Sequence, residues 1–236
     1  MMEPRIIVAL DFADADSAQA CVNVLSPQTC KLKVGKELFT AEGPAFVSSL
    51  VRRGFDVFLD LKFHDIPTTV ARACSAAANL GVWMLNVHAL GGATMMQAAR
   101  DALGQADDRA LLVAVTVLTS LSDADLQQIG IQEGAAQTAL RLAGLAHASG
   151  ADGVVCSAHE AASVRERFGD AFLRITPGIR LADDSSDDQN RIMTPSRAVQ
   201  SGASYLVVGR PVTRAADPTA VLRRIEFELT EKRGVH

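Results

Sequence analysis

Asp60-Leu61-Lys62-Phe63-His64-Asp65 is a stretch that sets one lysine between two aspartates. The run before it, Val57-Phe58-Leu59, is apolar and rich in β-prone residues, so it predicts a buried strand. Ile66-Pro67-Thr68-Thr69 follows and is typical of a loop that turns into a helix. The charged residues therefore stand where a buried strand ends and a helical connection begins.

The three charged side chains of this stretch are predicted to act together. Side chains two apart on a strand share a face, so we expect Asp60 and Lys62 to point the same way. Asp65 follows in the loop, close enough to join them or to reach a neighbouring chain. A carboxylate, an ammonium and a second carboxylate in a cleft suit the movement of a proton. A surface ion pair is the alternative, and the buried strand leading into the charges argues against it.

Composition limits the classes of partner. The chain has 236 residues, of which 48% are hydrophobic, and this is enough for one large core or two small ones. Its net charge is −4 and its pI is near 5.7, and no basic run stands out. We therefore expect neither nucleic acid nor a membrane surface as a principal partner, and any phosphate site must be local.

The cysteines and the N-terminus indicate a soluble, cytoplasmic protein. The four cysteines are scattered, without metal-ligand spacing, and are typical of buried, reduced thiols: Cys21, Cys30, Cys74 and Cys156. Met1-Met2-Glu3-Pro4-Arg5 leads directly into a strand, so we expect no signal peptide. No apolar stretch approaches the roughly 18–20 residues that a membrane-spanning helix needs.

Apolar, β-branched runs alternate with stretches of helical periodicity along the whole chain. The predicted strands are Arg5–Leu10, Cys30–Val34, Val57–Lys62, Met84–His88, Leu111–Val117, Gly153–Cys156, Phe172–Ile175 and Tyr205–Val208. The predicted helices are Asp16–Leu25, Gly43–Arg53, Thr68–Leu80, Ala93–Leu103, Gln137–Ser149, His159–Phe168, Ser196–Ser201 and Pro218–Lys232. The strands read as continuous apolar runs, which is typical of strands buried on both faces of a parallel sheet.

Eight strand–helix units in this length predict a (β/α)8 TIM barrel, with an open, doubly wound sheet as the alternative. No linker or break in composition divides the chain, so we expect a single domain over residues 1–236. In such a barrel, functional residues lie at the C-terminal strand ends and in the loops that follow. Polar residues do collect there: Asp11, Lys33, Asp60, Lys62, His88, Thr119, Ser120, Thr176 to Arg180, Gly209 and Arg210.

Two loops near the end of the barrel suggest how a ligand is held. Gly209-Arg210 follows the last strand and predicts a phosphate site, because a glycine lets backbone N–H groups approach an anion and arginine can clamp it. A helix cap is the alternative reading of this pair. The acidic segment 183–188 lacks an apolar anchor and predicts a mobile lid, with Gln189 able to reach the ligand on closure. The alternative for that segment is an idle surface loop.

A metal site is an alternative use of these residues, because Asp60, Asp65, His64 and His88 include possible ligands. Magnesium prefers carboxylates and water, and the lysine between the carboxylates would compete with a cation. We therefore expect no metal, and we expect His88 to be a hydrogen-bonded residue beneath the site.

These motifs together resemble the orotidine 5′-monophosphate decarboxylase family from Ile6 to Arg210. The most specific of them is the stretch from Phe58 to Val70, which looks like the family's signature. Supporting motifs are Ala9-Leu10-Asp11, Leu32-Lys33-Val34-Gly35, Thr116-Val117-Leu118-Thr119-Ser120, Thr176-Pro177-Gly178-Ile179-Arg180 and Val208-Gly209-Arg210-Pro211.

The resemblance implies a homodimer, without metal or cofactor, that converts orotidine 5′-monophosphate to UMP and CO₂. By similarity, Lys62 would protonate C6, Asp60 would face the departing carboxylate, and Asp11 and Lys33 would hold the ribose hydroxyls. Asp65, Ile66 and Thr69 would enter the partner's site. Thr119 and Gln189 would contact the pyrimidine and the lid, and Pro177 would line the pocket. The phosphate would be surrounded by Arg180, Gly209 and Arg210.

Two other functions stay open from the sequence. A Mg²⁺-dependent sugar-phosphate lyase or decarboxylase, resembling hexulose-phosphate synthase and ketogulonate-phosphate decarboxylase, shares the barrel and the Asp-x-Lys-x-x-Asp pattern. Such relatives carry an acidic metal ligand on strand two, where this chain has Lys33. A catalytically inactive nucleotide-binding module is the other alternative, but a binder does not need so costly a cluster of charges.

Overall fold

Eight parallel strands form a closed barrel, because each strand pairs with the next along the chain and the last pairs with the first. The strands are β1 (Ile6–Ala9), β2 (Lys31–Gly35), β3 (Val57–Phe63), β4 (Met84–His88), β5 (Leu111–Val115), β6 (Gly153–Val155), β7 (Leu173–Thr176) and β8 (Tyr205–Val208). The predicted (β/α)8 barrel is confirmed, and the alternative of an open sheet is wrong. Every predicted strand end lies within two residues of the observed one.

The computed structural model describes residues 4–106, 109–181 and 193–231. The acidic segment 183–188 and Gln189, which the sequence assigns to a lid, lie outside the described residues. One barrel contains all the strands of the described residues, and a single domain over residues 1–236 stays a prediction. Across the described ranges, each helix is too short or too polar to cross a membrane.

Helices connect the strands and cover the outside of the barrel. They are α1 (Ala15–Asn23), α2 (Lys36–Arg52), α3 (Pro67–Ala78), α4 (Gly92–Ala102), α5 (Asp123–Gln128), α6 (Ala135–Ala148), α7 (Ala158–Phe168), α8 (Pro195–Gln200), α9 (Arg210–Thr213) and α10 (Pro218–Glu231). The sequence did not predict α5 and α9, which are additional short helices of six and four residues ahead of the main helices α6 and α10. It also missed the first turns of α2, because Gly43 and Pro44 interrupt that helix with a kink at a positive φ of 69°.

Two apolar layers explain why the strands read as continuous apolar runs. Side chains on the outer face of the barrel pack beneath the helices, and those on the inner face fill its centre. The inner layer consists of Ile7, Ala9, Phe58, Met84, Val113, Ile175, Tyr205 and Val207. Below this layer the buried ammonium of Lys31 lies 4.2 Å from the ring centre of Trp83 and pairs with Asp56. Lys31, Asp56 and Trp83 stand at or just before the first residues of their strands, so this cluster lies at the N-terminal end of the barrel.

Gly153 in β6 provides a test of how tightly neighbouring strands pack. A Cβ at this position would lie 2.6 Å from the Leu173 Cβ and 2.8 Å from the Leu173 carbonyl carbon. We expect Gly153→Ala to lower the free energy of unfolding by about 1–3 kcal/mol, measured by urea denaturation, because backbone must move to admit the methyl group.

Gly144→Ala in α6 is the matched control. A Cβ there would meet only the Phe168 ring, at an ordinary contact distance of 3.5 Å. Alanine should raise stability by about 0.5–1 kcal/mol at a helical position. Equal effects of the two substitutions would contradict the packing argument for Gly153.

Candidate active site

The side chains at the C-terminal strand ends surround one cavity of about 750 Å³. Nine of the residues that the sequence assigns to a site line this cavity: Asp11, Lys33, Asp60, Lys62, Thr119, Pro177, Arg180, Gly209 and Arg210. They come from the ends of β1, β2, β3, β5, β7 and β8 or from the loops that follow. Parallel strands in a barrel all end on the same side, so residues distant in sequence meet at one mouth. The structure thus brings these nine residues together, and the role of each stays a prediction.

Alternating charges form a chain along one wall of the cavity. The Lys33 ammonium lies 3.2 Å from Asp11 Oδ1 and 3.3 Å from Asp60 Oδ2. The Lys62 ammonium lies 2.6 Å from Asp60 Oδ1. Asp60 is therefore held between two ammonium groups, and both Asp60 and Lys33 are less than a tenth exposed. This contact agrees with the expectation that Asp60 and Lys62 point the same way.

Burial and ion pairing shift the pKa values of Lys33 and Asp60 in opposite directions. Burial alone would lower the pKa of Lys33, but the charges of Asp60 and Asp11 outweigh it and raise that pKa above its ordinary value. Burial alone would raise the pKa of Asp60. The charges of Lys33 and Lys62, with hydrogen bonds from Lys62 and Asn86, outweigh this and lower it. Both groups thus stay charged across the neutral pH range.

Lys62 reaches Asp60 from an irregular backbone. Its φ is +53°, in the left-handed region, and the pairing of β3 with β4 shifts register between Leu59 and Phe63. The backbone N–H of Lys62 donates to the side-chain oxygen of Asn86 at 2.7 Å. Sequence reasoning did not select Asn86. The available signal was a lone amide inside the apolar run Met84-Leu85-Asn86-Val87.

The other walls of the cavity divide into an apolar part and a basic part. The apolar part, beside Thr119, is formed by Val115, Val117, Leu118, Val155 and Pro177. The basic part contains Arg180 and Arg210 next to Gly209, with Thr213 and Arg214 beyond them. A flat, weakly polar ring suits the first part and a phosphate suits the second, because guanidinium groups bind phosphate through paired hydrogen bonds. The cavity volume of about 750 Å³ is enough for a ligand that has both groups.

Asp65, Ile66 and Thr69 are not among the residues that line this cavity. Asp65 follows β3 in an exposed loop, where its carboxylate accepts a hydrogen bond from the Ile66 N–H at 2.6 Å. Ile66 is 66% exposed, which is unusual for a large apolar side chain next to a site. The role of these residues in a partner's site stays a prediction. Gln189 lies outside the described residues.

The histidines beside the cluster do not form a metal site with the carboxylates. Within residues 4–106, 109–181 and 193–231, no group of three or more His, Cys, Asp or Glu residues is placed to hold an ion. His64 and His88 instead stack on each other, with ring centres 5.5 Å apart. The His88 side chain accepts from the Leu90 N–H at 3.5 Å, as the cap of a 3₁₀ turn at Ala89–Gly91.

Comparison with known proteins gives consistent relatives over nearly the whole chain. Residues 4–225 match the family described as orotidine 5′-phosphate decarboxylase / HUMPS. The orotidine 5′-phosphate decarboxylase of Alkalilimnicola ehrlichii is 62% identical over 229 residues, covering 97% of each chain. That of Chromobacterium violaceum is 58% identical over 225 residues, covering 95% of this chain and 91% of the relative.

A solved structure shows the same similarity in three dimensions. The orotidine 5′-phosphate decarboxylase of Lactobacillus acidophilus superimposes with a TM-score of 0.86 at 40% sequence identity. The match covers 97% of this chain and 100% of that one. A crystal structure of an uncharacterized conserved protein from Geobacillus kaustophilus matches with a TM-score of 0.83 at 39% identity, covering 95% of this chain and all of that one.

His88 provides a pH-dependent test of the local structure. Burial, followed by the charges of His64, Lys62 and Lys36, lowers the pKa of His88 from 6.5 to about 4. The unfolded chain therefore binds a proton at this residue between pH 6.5 and 4 and the folded protein does not, so stability is lost as the pH falls through that range.

We expect His88→Asn to reduce this loss, because asparagine keeps an acceptor for Leu90 but does not titrate. The free energy of unfolding in urea should fall less for the variant than for the wild type between about pH 7 and about pH 4.5, by on the order of 1–2 kcal/mol for this partly exposed ring. If the free energy of unfolding has the same pH dependence in the variant and the wild type, His88 does not have a lowered pKa in the folded protein.

Proposed function

We infer that this chain, which belongs to the orotidine 5′-phosphate decarboxylase / HUMPS family, decarboxylates orotidine 5′-monophosphate to UMP and CO₂. It is a carbon–carbon lyase of pyrimidine biosynthesis. The observation that carries this conclusion is the Lys62 ammonium, 2.6 Å from the buried Asp60 carboxylate in a cavity with an apolar wall and an arginine-lined end. The cavity thus offers a proton donor, a place for a ring and a place for a phosphate.

Lys62 is the proton donor in this proposal. Loss of CO₂ from C6 of the pyrimidine leaves an electron pair in the plane of the ring, where no adjacent π system can accept it. The protein must therefore stabilise the developing negative charge directly, and a preorganised ammonium aimed at C6 does so. The same group then delivers the proton that completes UMP.

Asp60 and Lys33 keep that ammonium in place. Asp60 accepts from Lys62 and is itself paired with Lys33, so the cluster needs little rearrangement when charge develops on the substrate. Asp60 would also face the substrate carboxylate, and repulsion between the two is a secondary contribution. Asp11 and Lys33, 3.2 Å apart, are placed to hold the ribose hydroxyls.

The phosphate end of the cavity contributes binding energy away from the reacting carbon. Arg180, Gly209 and Arg210 would surround the phosphate, while Thr119 and Pro177 would contact the pyrimidine and the pocket wall. Gln189 would join them from the lid. Contacts at the phosphate can drive closure over the substrate, and so contribute to turnover as well as to binding.

We propose that the active protein is a homodimer whose two sites share residues. Asp65, Ile66 and Thr69 lie outside the cavity of their own chain, and the loop presents an exposed isoleucine. A second copy that buries Ile66 would remove this apolar side chain from water and bring Asp65 to the partner's Lys62. Each site would then contain a Lys-Asp-Lys-Asp set drawn from two chains.

The alternative within the same superfamily is a Mg²⁺-dependent sugar-phosphate lyase. Its acidic ligand on strand two is replaced here by Lys33, whose ammonium occupies the space between Asp11 and Asp60. A positive charge at that position opposes cation binding at the two carboxylates. The donor set therefore favours a reaction that uses neither a metal nor a cofactor.

We place the protein in the cytoplasm, with a small nucleotide rather than nucleic acid or membrane as its partner. Cys21, Cys30, Cys74 and Cys156 are all buried and unpaired with one another, as expected for a reducing compartment. The net charge of −4 is unfavourable for general binding to polyanions.

Turnover of orotidine 5′-monophosphate in the presence of EDTA tests the function. We expect loss of the substrate's absorbance and release of CO₂ at a rate that EDTA changes by less than about two-fold, because no step needs a metal. Lys62→Ala should reduce kcat by about 10³-fold or more while the far-ultraviolet spectrum and melting temperature remain close to wild type.

Several outcomes would overturn this proposal. Loss of wild-type activity on chelation would favour the magnesium-dependent lyase. Tight UMP binding without CO₂ release would favour a nucleotide-binding module. Near-wild-type activity of Lys62→Ala would remove the proton-donor role.

Hybrid dimers test the sharing of sites. Lys62→Ala and Asp65→Ala chains should each be nearly inactive alone. If Asp65 serves the partner's site, random mixing gives hybrids in half of the dimers, each with one intact site, and restores about one quarter of wild-type activity. A mixture no more active than the sum of its parents would show that Asp65 does not act across the interface.

A further inference from the structure

Asn86 joins the two charged residues of β3 from the neighbouring strand β4. Its side chain is fully buried, and it lies within an otherwise apolar strand segment. Its Nδ2 group donates to Asp60 Oδ1 at 2.7 Å, and its Oδ1 atom accepts from the Lys62 N–H at 2.7 Å. Because the backbone N–H of Lys62 can only donate, the orientation of the amide is determined by the contact itself.

The register of the two strands explains why a side chain is needed there. Leu59 pairs with Leu85 and Phe63 pairs with Val87, so residues 60 to 62 stand opposite Asn86 alone. The ladder cannot pair every backbone group across this bulge. The Asn86 amide supplies an acceptor for Lys62 at the position where the regular pairing is interrupted.

The same bulge gives Lys62 an unusual backbone. Among the described residues, Lys62 is the only non-glycine residue with a positive φ. A lysine in the left-handed region is strained and keeps that conformation only when its surroundings hold it there. The Asn86 hydrogen bond acts directly on the peptide group that carries this strain.

We propose that Asn86 is a positioning residue for the decarboxylation. One rigid amide fixes both the Asp60 carboxylate and the Lys62 backbone, and so sets the direction from which the Lys62 ammonium meets C6. The side chain does not line the cavity, so it acts through Asp60 and Lys62 rather than on the substrate. This inference rests on the proposed function, because its readout is the turnover of orotidine 5′-monophosphate.

The chemistry of the contact requires a primary amide. Asn86 gives one hydrogen bond to an anion and takes one from a backbone N–H at the same time. Alanine can do neither. An ionised aspartate can accept from Lys62 but cannot donate to Asp60, and it would place a second carboxylate at hydrogen-bond distance from the first. The two substitutions therefore predict different kinetics.

The first test is the kinetics of Asn86→Ala. We expect kcat to fall by about 10²-fold, because a shift of the Lys62 ammonium of about 1 Å from its position at C6 is enough for a loss of that size. KM and the affinity for UMP should change by less than about three-fold, since the phosphate and ribose contacts lie elsewhere in the cavity. A loss that appears in kcat alone separates positioning from a general loosening of the site.

The second test is the pH profile of Asn86→Asp. The carboxylate introduced at position 86 forms a pair with Asp60, and the repulsion between them raises the pKa of the pair. Below that pKa, one proton shared by the pair restores a hydrogen-bond donor to Asp60. Above it, both carboxylates are ionised and repel each other. The ratio of variant to wild-type kcat should therefore fall as the pH rises through the neutral range. Asp60 and Lys33 keep their charges over that range in the wild type, so its own profile should not show this step.

Ser149→Ala, directly after α6, is the matched control for loss of a buried polar group. The Ser149 hydroxyl is buried and donates to the Leu145 carbonyl at 2.8 Å, outside the cavity. We expect this substitution to lower the melting temperature slightly and to leave kcat within about two-fold of wild type.

The outcomes separate this inference from the function on which it rests. Absence of turnover by the wild-type protein overturns both. If the wild type is active and kcat is unchanged in Asn86→Ala, the positioning role alone is overturned. A variant that shows only a raised KM, with kcat unchanged, overturns it as well. If Asn86→Ala does not fold, Asn86→Asp decides: a kcat profile parallel to that of the wild type overturns the proposal, and a falling ratio supports it.

Discussion

The carboxylate of Asp60 is the group on which the rest of the site depends. It is buried within the cavity wall, where an unpaired anion would be strongly unfavourable. Lys33 and Lys62 lie on either side of it, at 3.3 Å and 2.6 Å from its two oxygens. Burial would lower the pKa of Lys33, and the charges of Asp60 and Asp11 outweigh it and keep that ammonium charged. The three charges hold one another in place, so the cluster is arranged before a substrate arrives.

The barrel makes this arrangement possible by bringing neighbouring strands together at fixed spacing. Lys33 lies on β2, Asp60 and Lys62 on β3, and Asn86 on β4, so the charged set spans three adjacent strands. A parallel sheet holds their backbones rigidly, and the apolar layer beneath them keeps water out of the barrel centre. The loops on the same side add the arginines that suit a phosphate. The charged cluster on strands and the arginines in loops thus meet at one mouth, and in the proposed function the first would carry the chemistry and the second the binding of phosphate.

Much of the fold and of the site could be predicted from the sequence. The strands could be located because each is an apolar run with polar residues at its end, and nine of the selected residues do line the cavity. Helices α5 and α9 were missed because each is an extra short helix ahead of the main helix of its unit, and the start of α2 because Gly43 and Pro44 break its pattern. For Asp65 and its loop, one chain shows only that they lie outside their own cavity, since a shared site requires a second copy.

The sequence by itself determined the alternation of apolar strands and helices, and therefore the barrel and the side on which its polar residues meet. It also determined that Asp60 and Lys62 stand two residues apart at the end of one strand, which predicts that they share a face. Only the tertiary structure decided how Lys62 reaches Asp60: through a bulge, a left-handed backbone and a hydrogen bond that the Lys62 N–H donates to Asn86. Asn86 is more than twenty residues away in the chain, and its contact depends on the register between β3 and β4. Register is set by the packing of whole strands, and no local pattern contains it.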